Sequence, residues 1–319
     1  MIDKFVKVMK KININEYLIS LRKLMEKEYK KSHKSCLFPN VSSIIQSDSI
    51  REDYISFDFL NSYYSYLVEN RDWEAKTIVD RKVVENDTKN LKFQATQIVK
   101  ETINFQEELV FSLLDQAYSP IGTYGYWKYK EIWNGELLQF LPETKINETG
   151  RLIGTDNKPL FCTHFDSSNN KNYRNILFEN LNVQTYKKAR KLLLGFNKIN
   201  KKDPKQPEFL LIVNLALQES AIKLENKLKK EEKSELLTVN YFKKLKWALM
   251  IKDIEPYVKP IIFQLREEPI FETTVDLIDS FIRKDIILTS NMRCNAAIGN
   301  WKKIVGVFGN DVKEEIGLL

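Results

Sequence analysis

Three residues in the N-terminal third of the chain have types and spacing that suit metal-dependent cleavage of nucleic acid. Asp58 lies in a stretch of alternating apolar and polar residues, and Glu74 and Lys76 lie in a second stretch of this kind. In such a site two carboxylates would hold Mg²⁺, and the lysine would polarise a water molecule or a phosphate. Solvated charges at the edge of a strand or helix are the ordinary alternative, because Glu and Lys are frequent throughout the chain. A Mg²⁺-dependent nuclease, or another nucleic-acid-processing enzyme, is therefore one hypothesis that the residues leave open.

The other residue types that serve catalysis or metal binding form no recognisable set in the sequence. The three cysteines, Cys36, Cys162 and Cys294, are far apart, and His33 and His164 add no zinc-binding spacing. The sequence contains no glycine-flanked nucleophilic serine, no P-loop and no dinucleotide-binding fingerprint. We therefore predict a protein without a metal or other cofactor, without a small-molecule substrate and without enzymatic activity.

The positive charge of the chain is concentrated in one region. The net charge is +7, and between residues 184 and 205 basic residues strongly outnumber a single acid, Asp203. Such a cluster can neutralise several phosphates and would make nucleic-acid binding depend on salt. The alternative is a solvated helix end followed by a linker. The predicted basic patch consists of Lys187, Lys188, Arg190, Lys191, Lys201 and Lys202.

The elements that must position these residues are predicted to be mostly helical. Only 10 Gly and 9 Pro are present, which argues against a fold built on many tight turns. Apolar residues at helical spacing predict helices within residues 1–35 and over 92–116. The fold class predicted is mostly α, with a few short strands in the N-terminal region and a C-terminal bundle of about five helices. Irregular composition between these parts predicts three regions, 1–141, 142–207 and 208–319.

Two features of the sequence indicate where the protein works. The N-terminal residues lack the apolar core of a signal peptide, and no run of apolar residues is long enough to span a membrane. We therefore expect an intracellular protein that does not contact a membrane.

The stretch 260–308 contains the most distinctive pattern in the chain. Apolar residues at three- and four-residue spacing predict helices over about 258–268, 272–282 and 285–298, with Pro269 ending the first. Gly299 and Asn300 then form a pair suited to ending a helix. The motifs in this stretch are Pro260, Gln264-Leu265-Arg266, Ala297-Ile298-Gly299-Asn300, Trp301 and Val305-Gly306-Val307.

This order of motifs resembles the C-terminal domain of the pre-mRNA-splicing factor 18 family. The resemblance implies a non-enzymatic factor of the second splicing step, located in the nucleus, with spliceosomal proteins and small nuclear RNA as partners. It also implies a loop that contacts the RNA core of the spliceosome and a helical face that binds a protein. The loop would consist of Gly299, Asn300, Trp301, Val305 and Gly306, and the partner-binding face of Ile262, Leu265 and Arg266.

Overall fold

The long helix α3, residues Thr88–Gln116, contacts both large sheets of the computed structural model. Two shorter helices precede it, α1 over Ile14–Ser32 and α2 over Phe38–Val41. Later in the chain come α4 over Val183–Phe196, α5 over Gln218–Lys227 and α6 over Asn310–Glu315. The structure describes residues 14–46, 54–59, 62–67, 71–80, 88–119, 121–122, 129–133, 136–140, 150–151, 158–166, 170–199, 207–252, 259–275 and 285–316.

Strands are distributed along the whole of the described chain, and the last third contains the longest of them. In chain order they are β1 Ser42–Gln46, β2 Tyr54–Phe59, β3 Ser62–Leu67, β4 Arg71–Val79, β5 Ile121–Gly122, β6 Tyr129–Trp133, β7 Glu136–Phe140, β8 Gly150–Arg151, β9 Thr163–Asp166, β10 Lys171–Arg174, β11 Ile176–Leu177, β12 Phe209–Asn214, β13 Glu235–Val239, β14 Leu245–Ile251, β15 Ile261–Val275, β16 Ile286–Ile298 and β17 Ile304–Phe308.

The first large sheet has the strand order β1-β15-β16-β4-β6-β7 among the described strands. Strands β15 and β16 pair antiparallel as a long hairpin, and β1 lies parallel to β15. Alternate side chains of β4 and β16 are buried, which is the period of a strand with one covered face. The covered face meets α1 and α3, where Thr102 Oγ1 donates to Ser290 Oγ at 2.9 Å.

Helix α1 covers this sheet with one face only. Leu18, Leu21 and Met25 recur at three- and four-residue spacing and are buried in the same apolar core as α3 and β15. Their burial stabilises the layer, since each fully buried side chain of this kind contributes about 1.5–3 kcal/mol. No helix in the described part of the chain is both long and apolar enough to cross a bilayer.

The second large sheet has the order β11-β17-β14-β12-β13 among the described strands. Its interior strand β12 is buried on both faces, because successive side chains point to opposite sides and meet two different cores. Leu210 and Ile212 belong to the core that contains α3, whereas Leu211 and Val213 belong to a second core with α4 and α5. Strands β2 and β3, β5 and β8, and β9 and β10 pair as separate two-stranded ribbons.

The structure contradicts the mostly α prediction, because the fold is a mixture of α and β. The helix predicted over 92–116 is present as α3, but the three predicted over 258–298 are replaced by β15 and β16. Residues 261–263 are apolar and all buried, and such a continuous apolar run fits a buried strand as well as a helix. Pro269 lies where the pairing of β15 with β16 shifts register. At such an irregularity the absence of a backbone N–H in proline does not remove a hydrogen bond between the strands. The three-region division stays a prediction, and strands of the region 208–319 enter both large sheets.

Candidate functional site

Residues 299–303, here called the crossing segment, carry the chain from β16 in the first sheet to β17 in the second. The Gly299 N–H donates to the Pro260 carbonyl at 2.7 Å, which fixes where the segment leaves the first sheet. Asn300 Oδ1 accepts the Lys302 N–H at 3.0 Å and so caps a short 3₁₀ turn. A capped turn at this position sets the direction in which β17 begins.

Trp301 lies in this turn and is half-buried, with its ring packed against both apolar cores. It stacks on the imidazole of His164, with 4.2 Å between ring centroids and 3° between planes. The Phe196 ring meets it edge-on at 5.7 Å, and the Tyr173 ring lies at 6.4 Å. Aromatic pairs of this kind stabilise a fold beyond the area that they bury. Trp301, predicted to belong to a loop that contacts RNA, therefore joins the crossing segment to β9, β10 and α4.

Asn175 connects the same turn to the chain ahead of β9. Its Nδ2 lies 2.7 Å from the Leu160 carbonyl and 3.3 Å from the carbonyls of Trp301 and Ile304. Its Oδ1 accepts the Cys162 N–H at 3.0 Å. The side chain is fully buried, so these bonds compensate the loss of water. One amide thus holds two segments that are more than 120 residues apart.

Gly306 allows a close approach that any side chain would prevent. A Cβ at this position would lie 2.6 Å from the Phe161 ring, closer than carbon atoms can approach. Phe161 in turn packs edge-on against Phe308 at 5.2 Å, and Val305 is fully buried on the other face of β17. Val305 and Gly306 were predicted to belong to an exposed loop, and the structure places both in a central strand.

Two lysines in the turn are held by partners from distant elements. Lys302 Nζ lies 3.1 Å from Asp166 Oδ2, a carboxylate that is 5% exposed. Lys303 Nζ donates to Asn197 Oδ1 at 3.0 Å and is itself buried. Burial lowers the pKa of Lys303 to about 8, and the positive charge of Lys302 contributes to this lowering. The turn is therefore a polar cluster in which Lys303 is buried and Lys302 is half-buried.

Cys162 and His164 approach each other beside this cluster. His164 Nε2 lies 3.5 Å from Cys162 Sγ and 3.0 Å from the Leu160 carbonyl. A carbonyl oxygen can only accept, so its contact with Nε2 requires the hydrogen to be on that nitrogen. An Nε2 that already carries hydrogen cannot remove the proton of the thiol. The pair consequently lacks the arrangement of a nucleophile and its base.

The predicted nuclease residues lie in two different sheets. Glu74 and Lys76 alternate with buried Trp73 and Ala75, so their side chains point away from the helices on the open face of the first sheet. Asp58 lies in β2, opposite Tyr63 of β3, and its side chain is outside the described part of the structure. Within the described residues no three His, Cys, Asp or Glu side chains are grouped so that they could hold a metal ion.

The residues predicted to form a partner-binding helical face belong to strand β15. Ile262 is fully buried, whereas Leu265 and Arg266 are half-buried. Positions three apart in a strand point to opposite faces, so Ile262 and Leu265 do not share one surface. Leu265 packs against the core under α3 together with Phe263.

The predicted basic patch is divided among different contacts. Lys187 pairs with Glu232 at 3.0 Å, and Lys188 pairs with Glu179. The Arg190 guanidinium lies over the Phe209 ring at 4.9 Å. Lys191 is exposed, and Lys201 and Lys202 lie outside the described residues. A role of these residues in phosphate binding stays a prediction.

The sequence reasoning missed Asp115, which joins α3 to the second sheet. Its Oδ1 accepts the N–H groups of Lys243, Lys244 and Leu245 at 3.0, 2.8 and 2.7 Å. Burial raises the pKa of this carboxyl, although the three amide donors lower it in part. The sequence contained one signal of this role, since Asp115 directly follows the apolar pair Leu113 and Leu114. An acid buried beside such residues requires hydrogen-bond or ionic partners.

Comparison with protein families gives one match, over residues 224–313. The matching family model is the Mu-like prophage major head subunit gpT. The matched stretch begins near the end of α5, contains β13 to β17 and therefore includes the crossing segment. No curated protein sequence matches the chain.

The fold is similar to those of solved phage capsid structures. The mature capsid of bacteriophage PhiM1 gives a TM-score of 0.51 at 7% identity, covering 87% of this chain and 88% of that one. The capsid of Ralstonia phage GP4 also gives 0.51 at 7% identity, covering 85% of this chain and 90% of that one. At this identity the similarity concerns the fold.

These findings correct the functional predictions made from the sequence. The residues that suggested a splicing factor lie in the stretch that matches a phage head subunit, and they form strands instead of the expected helices. The second-step splicing function, the spliceosomal protein and small nuclear RNA partners, and the nuclear location are therefore wrong. The nuclease alternative is also wrong, since the family and fold matches are to head and capsid proteins.

Proposed function

We propose that this chain is a structural, non-enzymatic subunit of a phage head, which assembles with copies of itself into a closed shell. The observation that carries the proposal is the match of residues 224–313 to the major head subunit family. The fold shared with two phage capsids supports it across most of the chain. The expected location is the host cell during assembly and the particle afterwards.

The geometry of the crossing segment supports a building-block role. A shell made of many copies requires each copy to keep one shape, because small angular errors accumulate around a closed surface. The contacts of Trp301 with His164, and of Asn175 with three carbonyls, hold in place the segment that connects the two sheets. The Asp115 bonds fix the second sheet against α3 in the same way.

The surface of the first sheet supports association with further copies. Helices cover one face of this sheet, and on the other face the described side chains of β4, and those of β16 from Ile287 to Arg293, are half-buried or exposed. Strand β1 lies at one end of the described strand order, and its Ile44 is 46% exposed. Strands at the end of a sheet have unpaired backbone groups that can pair with another chain.

The proposal is tested by expressing the whole chain and measuring particle size by sedimentation velocity and negative-stain electron microscopy. Closed shells of uniform diameter are expected, in equilibrium with dispersed subunits. A variant Trp301→Ala is expected to give shells of irregular size or curved fragments, because the two sheets lose a fixed orientation. A well-folded wild type that stays a single subunit at every concentration would contradict the proposal.

A further inference from the structure

The outer surface of α1 and of the turn after it presents a line of lysines. Four of them recur at steps of four, three and four residues, which places them on one side of the helix. This side is opposite the one that buries Leu21 and Met25, each only 1% exposed. All four are exposed, and we call them the lysine ridge: Lys23, Lys27, Lys30 and Lys34.

The ridge has no acidic partners within the part of the chain that the structure describes. The two ion pairs of α1 use its other basic residues, Arg22 with Glu26 at 3.0 Å and Lys31 with Glu28 at 3.8 Å. Like charges three and four residues apart repel each other and destabilise a helix. Neighbouring lysines of the ridge therefore repel one another.

Helix-end electrostatics does not account for the ridge. Lysines near the end of a helix interact favourably with its dipole, but this effect is confined to the last turn. Lys23 lies nine residues before Ser32, where α1 ends, and Lys27 lies five residues before it. No acid among the described residues compensates this charge, and an anionic partner would supply the compensation.

The chemistry of the ridge points to a particular kind of partner. Lysine ammonium groups are point charges that bind phosphate without reading the shape of a base. The two tyrosines of the helix, Tyr17 and Tyr29, pack against the apolar core, so neither can stack on an unpaired base from this surface. The four lysines span about 16 Å, and duplex DNA has one negative charge for about every 1.7 Å of its axis.

The opposite surface of the same layer has no such excess of positive charge among its described residues. On the open face of the first sheet, Arg293 lies 3.5 Å from Asp72, and Lys76 is two residues from Glu74. The two surfaces of the layer thus differ in charge, which gives the subunit a side that attracts polyanions.

We propose that the lysine ridge binds the phosphate backbone of double-stranded DNA without sequence preference, and that the helical side of the subunit faces the DNA that the shell encloses. This inference rests on the proposed head function. Because the contacts are ionic, binding is expected to weaken steeply as salt is added.

The test compares two full-length variants that lose the same number of charges. The ridge variant replaces Lys23, Lys27, Lys30 and Lys34 with glutamine. The control variant replaces exposed lysines in and after α5, where acids such as Glu219, Glu225 and Glu232 alternate with them: Lys223, Lys227, Lys229 and Lys230. Binding of dispersed subunits to a random-sequence duplex of about 30 base pairs is measured by fluorescence anisotropy from about 50 to 200 mM salt.

The ridge variant is expected to lose a slope of about 3.6 in log affinity against log salt, at about 0.9 for each lysine. Between about 50 and 200 mM salt, the fold-loss of DNA affinity should therefore be roughly 100 times larger for the wild type than for the ridge variant. The control variant is expected to keep the wild-type slope. An unchanged slope in the ridge variant overturns the inference, and so does equal loss in both variants.

Two further measurements separate this inference from other outcomes. Polyglutamate and unlabelled duplex are added as competitors, and displacement of the labelled DNA by polyglutamate at a lower charge concentration than by duplex would overturn DNA in favour of an acidic protein partner. Sedimentation of each variant reports shell assembly independently. If the ridge variant forms normal shells and its DNA binding is unchanged, only the proposed DNA-binding role of the ridge is contradicted. If wild-type subunits bind DNA but never form shells, the proposed head function is contradicted.

Discussion

Replacing Asp115 with alanine is expected to lower the free energy of unfolding by about 3 kcal/mol. The bond to the Leu245 N–H is buried and involves a charge, so its loss costs about 1.5–3 kcal/mol. The bonds to Lys243 and Lys244 lie nearer the surface and add about 0.5–1 kcal/mol each. Removing the carboxylate also removes the cost of burying its charge, which offsets about 1 kcal/mol of this total.

The matched control is Asp115→Asn, which keeps an oxygen that can accept the same three amide hydrogens. Its cost is expected to stay below about 1 kcal/mol. Both variants are measured by urea unfolding of dispersed subunits, followed by far-ultraviolet circular dichroism and tryptophan fluorescence. An alanine variant that loses less than about 1 kcal/mol, or no more than the asparagine variant, would refute the assigned role.

The pH dependence gives a second reading of the same site. Burial raises the pKa of Asp115 in the folded chain above its ordinary value of about 3.9. The folded state then holds this proton more tightly than the unfolded state, so stability falls as pH rises through the window between the two values. The wild type should therefore lose stability relative to Asp115→Asn across that window, and parallel pH curves would contradict the assignment.

Three further changes test the crossing between the sheets. Gly306→Ala is expected to cost about 1–3 kcal/mol in urea unfolding, because its Cβ would overlap the Phe161 ring, and Phe161→Leu in the same chain should recover part of the loss. The pKa of Lys303 is about 8 in the folded chain and about 10.4 in the unfolded chain, so wild-type stability should rise by about 3 kcal/mol between these pH values. Lys303→Met should abolish this rise. An equal rise in the variant would exclude Lys303 as its source. Trp301→Ala should cost about 3–5 kcal/mol in urea unfolding, and a loss below about 1 kcal/mol would show that the stacked ring contributes little.

Helices of this fold could be predicted from the sequence where they have one buried face. The apolar positions of α3 keep helical spacing over many turns, and the helix was found over Thr88–Gln116. Strand β12 could not be recognised in the same way, because Phe209–Asn214 is almost continuously buried and leaves no alternation. Buried and less buried residues alternate in β16 only as far as Cys294, and every later position of the strand is buried. The sequence of this last part therefore fits a buried helix as well as a strand.

The candidate site was only half visible in the sequence. The residues from Gly299 to Gly306 stood out by type, and the structure places them in the crossing segment and in β17. Their partners could not be inferred, because His164 and Asn175 approach them from more than 120 positions away. Pairings at that separation depend on the strand order, and local spacing contains no information about it.

The threading of the last third of the chain has a consequence for synthesis on the ribosome. Strand β17 lies between β11 and β14, and β16 lies between β15 and β4, so each large sheet has a central gap until Ile298 and Phe308 have been made. Nascent chains released early would lack a middle strand in one sheet or in both. Such truncated products would lack the strand that joins the two halves of a sheet, so they could not form the fold of the complete chain.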